Sequence, residues 1–381
     1  MSAASRIPAL VLGGTGYVAG ELLRLVAGHP RLALKAVLSD SQPGESVADA
    51  FTHLRPAFPE LKFSSLGEVK QLVATLPVSA ILSAAPHGVS ASLIDDLLAA
   101  AEAAGTKPRI VDISADFRYR SAAAYEAVYK HPHGAPGRIA QFACAVPEHY
   151  WPQERWDSPP LAGGVRGGVR DTGAPLLDLA VTHIAHPGCF ATAVLLASVP
   201  LLKLGLIEPQ LFVTGITGST GSGRSPGAGT HHPQRHSDLY AYNALAHRHT
   251  PEIAALAAAA AGVAADFRFV PHSGPFARGI HVTVQARALK PIKTTELRAA
   301  LNDFYAASPF VQIGASMPRM KDVVASNYAQ LGAVAEGDTI AVMSVIDNLV
   351  KGAAGGAVQW MNRLLGFAET DGLLASAPGW T

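Results

Sequence analysis

Three residues in the second half of the chain have the types and spacing for proton-coupled chemistry at sulfur: Cys189, His247 and His249. Cys189 lies in "HPGCFATA" (186–193), directly after Gly188, at the head of the apolar run "FATAVLLASVPLLKLG" (190–205), which reads as a helix. A thiol at a helix N-terminus faces backbone N–H dipoles, which favour thiolate, and a preceding glycine lets a carbonyl reach the sulfur. A thiolate needs a proton acceptor. In "HRHTPEI" (247–253), His247 and His249 stand two apart, so in an extended segment their rings point the same way. Glu252, three residues on, is placed to orient an imidazole. The other cysteine, Cys144, falls mid-strand in "QFACAVPE" and reads as an inert buried thiol.

A second set of residues could hold phosphate. "GGTGYVAG" (13–20) puts Gly13, Thr15, Gly16 and Ala19 in a G-x-x-G-x-x-A pattern between a strand and a helix, the context for a dinucleotide pyrophosphate at a helix N-terminus. After the next strand, Asp40 could accept from the ribose 2′-hydroxyl of NAD, whereas Ser39 and Ser41 could donate to the 2′-phosphate of NADP. "DISADFR" (112–118) delivers Arg118 to the end of a strand. Arg224 lies in the Gly/Ser loop "GSTGSGRSPGAG", a form able to cradle an oxyanion. The histidines of "THHPQRH" (230–236) have no Cys or carboxylate at ligand spacing, so they read as loop or rim rather than a metal site.

The elements that must position these residues follow from periodicity. "IPALVL" (7–12), "LALKAVLS" (32–39), "VSAILSAAP" (78–86) and "PRIVDIS" (108–114) are strands apolar on both faces, alternating with helices over 17–30 and 89–105. This predicts a doubly wound parallel sheet, an α/β Rossmann-type domain. Beyond Cys189, "LFVTGITGSTG", "ADFRFVPHSGPFARGIHVTVQARAL" and "TIAVMSVIDN" read as longer alternating strands, hence a second, α+β domain. The expected division is 1–188 and 189–348, with the small-residue helix of 349–381 returning to the first domain. Residues 153–175, rich in Gly, Pro and Arg, read as an exposed insertion.

Composition excludes several classes. At 381 residues the chain suits two domains, and a net charge of +1 leaves no basic footprint for nucleic acid. Two cysteines make no disulfide framework. No apolar run reaches the roughly 20 residues of a membrane span, and the N-terminus runs straight into a strand. A cytoplasmic globular protein is expected.

Taken together, "GGTGYVAGELLRLVAGHP", "PHGVS" (86–90), "DISADFR", "HPGCFATA", "HRHTPEI", "RGIHVTV" and "DNLVKGAAGGAVQ" resemble the N-acetyl-γ-glutamyl-phosphate reductase family, relatives of aspartate-semialdehyde dehydrogenase with the glyceraldehyde-3-phosphate dehydrogenase-like fold. The resemblance runs from residue 13 to 359. It implies NADPH as cofactor, Cys189 as nucleophile, His249 as acid/base, and Arg118, His247, Glu252 and Arg224 at the substrate. Gly13, Thr15, Gly16, Tyr17, Ser39, Ser41, Pro86 and Asn348 are the implied cofactor contacts, Asn348 near the nicotinamide. It also implies a homo-oligomer, dimer or tetramer, acting on a small acyl phosphate. The Arg usual after the second strand is replaced by "SDSQ". "AVPE" and "THHP" look more like the branch whose substrate rides on an acidic amino-group carrier protein, for which Arg166, Arg170 and Arg235 would form a basic rim. An NADP-binding redox sensor without turnover is the reading from another class.

Overall fold

The computed structural model describes residues 6–150 and 182–380. The first half alternates strand and helix: β1 (Ile7–Leu12), α1 (Tyr17–Ala27), β2 (Leu32–Leu38), α2 (Val47–Ala50), α3 (Leu66–Thr75), β3 (Val78–Ser83), α4 (Ser90–Ala104), β4 (Lys107–Asp112), α5 (Ala122–Tyr129), β5 (Phe142–Cys144) and β6 (His183–Ala185). The strands form one parallel sheet in the order β2-β1-β3-β4-β6-β5. Both faces of β1 are dry. Leu10 and Leu12 pack toward α3 and α4, while Ala9 and Val11 pack toward α1 and the C-terminal helix. That is why its sequence is apolar at every position rather than at alternate ones. The chain leaves β1 in one direction to β2 and returns in the other to β3. The ends of β1 and β3 therefore part to form a crevice.

The second half is built on α6 (Cys189–Lys203), β7 (Ile207–Thr217), α7 (His232–Arg235), β8 (Tyr240–Ala241), α8 (His249–Ala261), β9 (Asp266–Ser273), β10 (Ile280–Ala288), α9 (Thr294–Phe304), β11 (Val311–Ile313), β12 (Ala329–Glu336) and β13 (Thr339–Ile346). These strands make a mixed sheet ordered β11-β12-β13-β10-β7-β9-β8. Leu211 and Val213 of β7, with Val282 and Val284 of β10, bury against α6, α8 and α9. Phe212, pointing to the other face, is 56% exposed. After β13 a wide π-type turn, 350–354, leads into α10 (Gly355–Leu364), which lies against α1 and β4 of the parallel sheet.

The expected fold class is the observed one. The long segment from 265 is two strands, separated by a turn through Gly274 and Gly279. Helix α8 begins at His249, with His247 just ahead of its N-cap Arg248, so the two histidines straddle a helix start instead of lying on one extended segment. The insertion expected at 153–175 lies outside the described residues, as do Arg166 and Arg170.

Candidate active site

Two neighbouring sites emerge, one at the crevice of the parallel sheet and one at the N-terminus of α6. At the first, Gly13 has φ +79°, and a Cβ there would lie 2.5 Å from the Ala85 nitrogen. Only glycine allows β1 to turn this tightly over the end of β3. In front of Gly16, the N-cap of α1, nothing stands within 4 Å of the Cβ position. The helix N–H groups therefore open onto a cleft of about 1100 Å³, lined by Gly13, Thr15 and Gly16, by Ser39 and Ser41 behind β2, and by Pro86 behind β3. The two serine hydroxyls stand 3.3 Å apart. Asp40 lines the same cleft.

Arg224, expected at the substrate, closes this cleft from the second domain. It donates to the Thr15 carbonyl at 3.0 Å and the Ala50 carbonyl at 3.2 Å, and lies over the Phe51 ring. Tyr17 faces a smaller recess of about 350 Å³ beside Arg278 rather than the cleft. Asn348 accepts the Gly279 N–H at 2.8 Å and donates to Thr220 Oγ1 at 3.0 Å, which ties the turn after β7 to the turn before β10.

At the second site Cys189 is the first residue of α6, capped by Gly188. A Cβ on Gly188 would stand 2.7 Å from His249 Nε2 and 2.9 Å from Arg118 Nη1, so the glycine brings imidazole and guanidinium up to the backbone beside the thiol. Behind the sulfur, a Cβ on Gly352 would lie 2.7 Å from Cys189 Cβ. The small-residue stretch after Asn348 is thus the back wall of the Cys189 thiol. Lys351, fully buried in the same turn, donates to Glu148 at 2.5 Å and to Gln359 at 2.6 Å, anchoring it.

Glu252 does not orient an imidazole. Its two oxygens accept the Gly188 N–H at 2.7 Å and Arg118 Nη1 at 3.2 Å, inside a pair almost wholly removed from solvent. Arg118 spends its other nitrogens on the carbonyls of His186, at 3.0 Å, and Ile113, at 2.6 Å. The His249 backbone N–H donates to His247 Nδ1 at 3.2 Å and so orients the His247 ring, which meets the His249 ring edge to face at 4.8 Å.

Electrostatics also differ from expectation. Burial pushes the Cys189 thiol up, against the opposing pull of Arg118 and the Phe190 N–H, so enclosure outweighs the helix terminus. Burial, then Arg118, holds His249 well below its usual value, and burial with Arg248 pushes His247 down to about 4. The resting site is a protonated thiol beside neutral imidazole. Cys144 is buried and its thiol is pushed far up, in keeping with an inert residue.

Arg235, expected on a basic rim, is buried. It donates to the Gly274 carbonyl and lies under Tyr240, so it presents no exposed charge. His87, Tyr129 and Arg248 gather beside this site without having been singled out from the sequence. The histidine stood inside a noticed motif, "PHGVS", and the arginine between two noticed histidines, but nothing in either spacing signals their meeting with Tyr129.

Among known proteins, the semialdehyde dehydrogenase NAD-binding domain matches residues 8–148 and the semialdehyde dehydrogenase dimerisation domain matches 189–348. The N-acetyl-gamma-glutamyl-phosphate reductase of Pseudomonas putida (strain W619) is 36% identical over 368 residues, 95% of this chain and 96% of its own. That of Symbiobacterium thermophilum is 35% identical over 375 residues, 97% of each. In structure, aspartate semialdehyde dehydrogenase II of Vibrio cholerae, complexed with ASA, superposes with a TM-score of 0.65 at 15% identity, over 95% of this chain and 98% of that one. Aspartate semialdehyde dehydrogenase of Candida albicans, with NADP, does so with 0.63 at 14%, over 95% and 98%.

Proposed function

The chain belongs to the N-acetyl-gamma-glutamyl-phosphate reductase family, and we propose that it reduces N-acetyl-γ-glutamyl phosphate to N-acetylglutamate 5-semialdehyde, with NADPH, as a step of arginine biosynthesis. The observation that carries this is the half-buried Cys189 thiol at the head of α6, with neutral His249 held against the glycine before it.

Cys189 attacks the acyl carbon as His249 takes the thiol proton. A carbon–sulfur bond forms, the carbon–oxygen bond to phosphate breaks, and phosphate leaves with the electron pair. The anionic substrate, entering beside Arg118 and Arg248, offsets the positive field that adds to burial in holding His249 neutral, so imidazole gains affinity for the proton as attack begins. NADPH, when bound, supplies the hydride that brings the thioester to the aldehyde level. His249 then returns its proton as sulfur departs. Glu252 and Arg118 are positioning residues, fixing Gly188 so that the acyl group can reach sulfur.

The glycine-lined cleft fits the cofactor: Gly13, Thr15 and Gly16 would hold the pyrophosphate, and Ser39, Ser41 and Arg224 the 2′-phosphate. Arg224 stands in for the arginine lacking after β2. Pro86, lining the same cleft, would border the cofactor.

The same reading makes the protein a cytoplasmic homo-oligomer whose copies meet across the open face of the mixed sheet. Exposed Phe212 and the dimerisation-domain match support that. Among the described residues no helix is long and apolar enough to cross a membrane. The burial of Arg235 removes one of the three residues proposed for a carrier-protein rim, which favours a free substrate.

The test follows NADPH formation from N-acetylglutamate semialdehyde, phosphate and NADP+. Turnover in the wild type and none in Cys189→Ser, with NADP+ binding intact, is the expected result. NADP+ binding without turnover of the free semialdehyde would transfer the reading to a carrier-bound substrate.

A further inference from the structure

Near Cys189, on the side of the parallel sheet, His87, Tyr129 and Arg248 gather with no carboxylate among them. His87 Nδ1 accepts the Ala115 N–H at 2.9 Å. In a neutral ring this places the hydrogen on Nε2, so that nitrogen can only donate. Partial desolvation, then the nearby Arg118 and Arg248, keeps the ring neutral although the residue reaches the surface. Tyr129 lies 5.9 Å from His87, ring to ring, and its buried hydroxyl has no hydrogen-bond partner. The Arg248 guanidinium lies 5.9 Å over the Tyr129 ring and forms no ion pair among the described residues.

The carboxylates of the neighbourhood are spent elsewhere. Glu252 is taken by Arg118 and the Gly188 N–H. Asp116 accepts from the Gly88 N–H at 2.8 Å, the Ala91 N–H at 2.9 Å and the Tyr125 hydroxyl at 3.1 Å. These bonds fix the backbone that carries His87. A cation and two neutral donors, preorganised and unpaired, are complementary to an anion with several oxygens.

We propose that His87 Nε2–H, the Tyr129 hydroxyl and the Arg248 guanidinium seat the phosphoryl group of the acyl phosphate and receive it as it leaves. Arg118, the expected phosphate holder, has its Nε and both Nη atoms engaged by protein groups and acts from behind. As the carbon–oxygen bond breaks, negative charge grows on the departing oxygens, where the three donors meet it; no proton or electron need enter from elsewhere. The inference rests on the acyl-phosphate reading above, and the experiment separates the two.

Inorganic phosphate is the probe. In the wild type it should slow alkylation of Cys189 by iodoacetamide, a readout that requires no turnover. In Arg248→Gln and Tyr129→Phe the phosphate concentration giving half-protection should rise about tenfold or more, with Arg248→Lys recovering much of the loss. In the semialdehyde-oxidising direction the KM for phosphate should rise to the same extent while the KM for semialdehyde stays within about twofold. Equal protection in wild type and variants, or a matching rise in both KM values, would overturn the seat. Phosphate protection that is lost in the variants, from a wild type that does not turn over the semialdehyde, would keep the seat and reject the substrate.

Discussion

Replacing Glu252 with Gln separates two effects that the structure predicts will move in opposite directions. Glu252 and Arg118 are 1% and 4% exposed at their side chains and form a direct ion pair. Removing one partner leaves a buried guanidinium uncompensated, which costs about 3–5 kcal/mol. The amide retains one acceptor oxygen for either Arg118 or the Gly188 N–H, which puts the loss near the lower end. At about 2–4 °C per kcal/mol for domains of this size, melting should fall by about 6–12 °C. The thiol responds with the opposite sign. Glu252 raises the Cys189 pKa and Arg118 lowers it, so neutralising the carboxylate leaves Arg118 unopposed and enlarges the thiolate fraction near neutral pH. A less stable enzyme should therefore be alkylated faster at Cys189, while turnover falls because Gly188 has lost its anchor. Differential scanning calorimetry and the iodoacetamide rate at pH 7.5, with Cys189→Ser as the labelling control, measure both. Melting within 2 °C of wild type, or slower alkylation, would refute the arrangement of charges described above.

Gly188→Ala drives a methyl to 2.7 Å from His249 Nε2 and 2.9 Å from Arg118 Nη1; kcat should drop about 100-fold while NADP+ affinity, read by fluorescence titration, holds. Lys351→Met, breaking a pair with both side chains buried, should cost about 3–5 kcal/mol in urea denaturation, and adding Glu148→Gln should restore part of it; additive losses would deny the pairing. Four buried histidines are held neutral chiefly by burial: His186 is pushed down to about 3, and His149, His183 and His247 to about 4. With folded values depressed, their contribution is present above pH 6.5 and lost as pH falls toward 4. From pH 7.0 to 5.5 that amounts to about 5 kcal/mol in total. Buried Asp112, its carboxyl pushed up to about 6, works the other way and returns about 1 kcal/mol. A flat stability profile over that interval would mean the histidines are charged or exposed.

The parallel sheet was legible because strands dry on both faces leave continuous apolar runs, as in "IPALVL" and "VSAILS". The glycine turn was legible because Gly13 answers a local demand, a positive φ over a neighbouring strand. Cys189 at the head of α6 was equally local. Contacts across many residues left no such trace. Glu252 sits three residues from His249 and was expected to orient an imidazole, yet its partners are Arg118 and Gly188, 134 and 64 residues away. The thiol's pKa went against the helix-terminus argument because burial, a property of the whole fold, exceeded a dipole that the sequence does reveal. Arg224 was expected at the substrate, but its side chain crosses to the Thr15 and Ala50 carbonyls of the other domain, and no spacing encodes that crossing.

The back wall of the sulfur comes from Gly352, which follows the last strand of either sheet, β13. On the ribosome, then, Cys189, His249 and both sheets are all synthesised before the segment that backs the thiol. Lys351, which clamps that segment, must reach back to Glu148, laid down some two hundred residues earlier. An unfinished or C-terminally clipped chain would carry an open, unsupported thiol in place of a half-buried one. The turn that carries Lys351 and Gly352 thus sets how open the sulfur is, and it is laid down after every strand of both sheets.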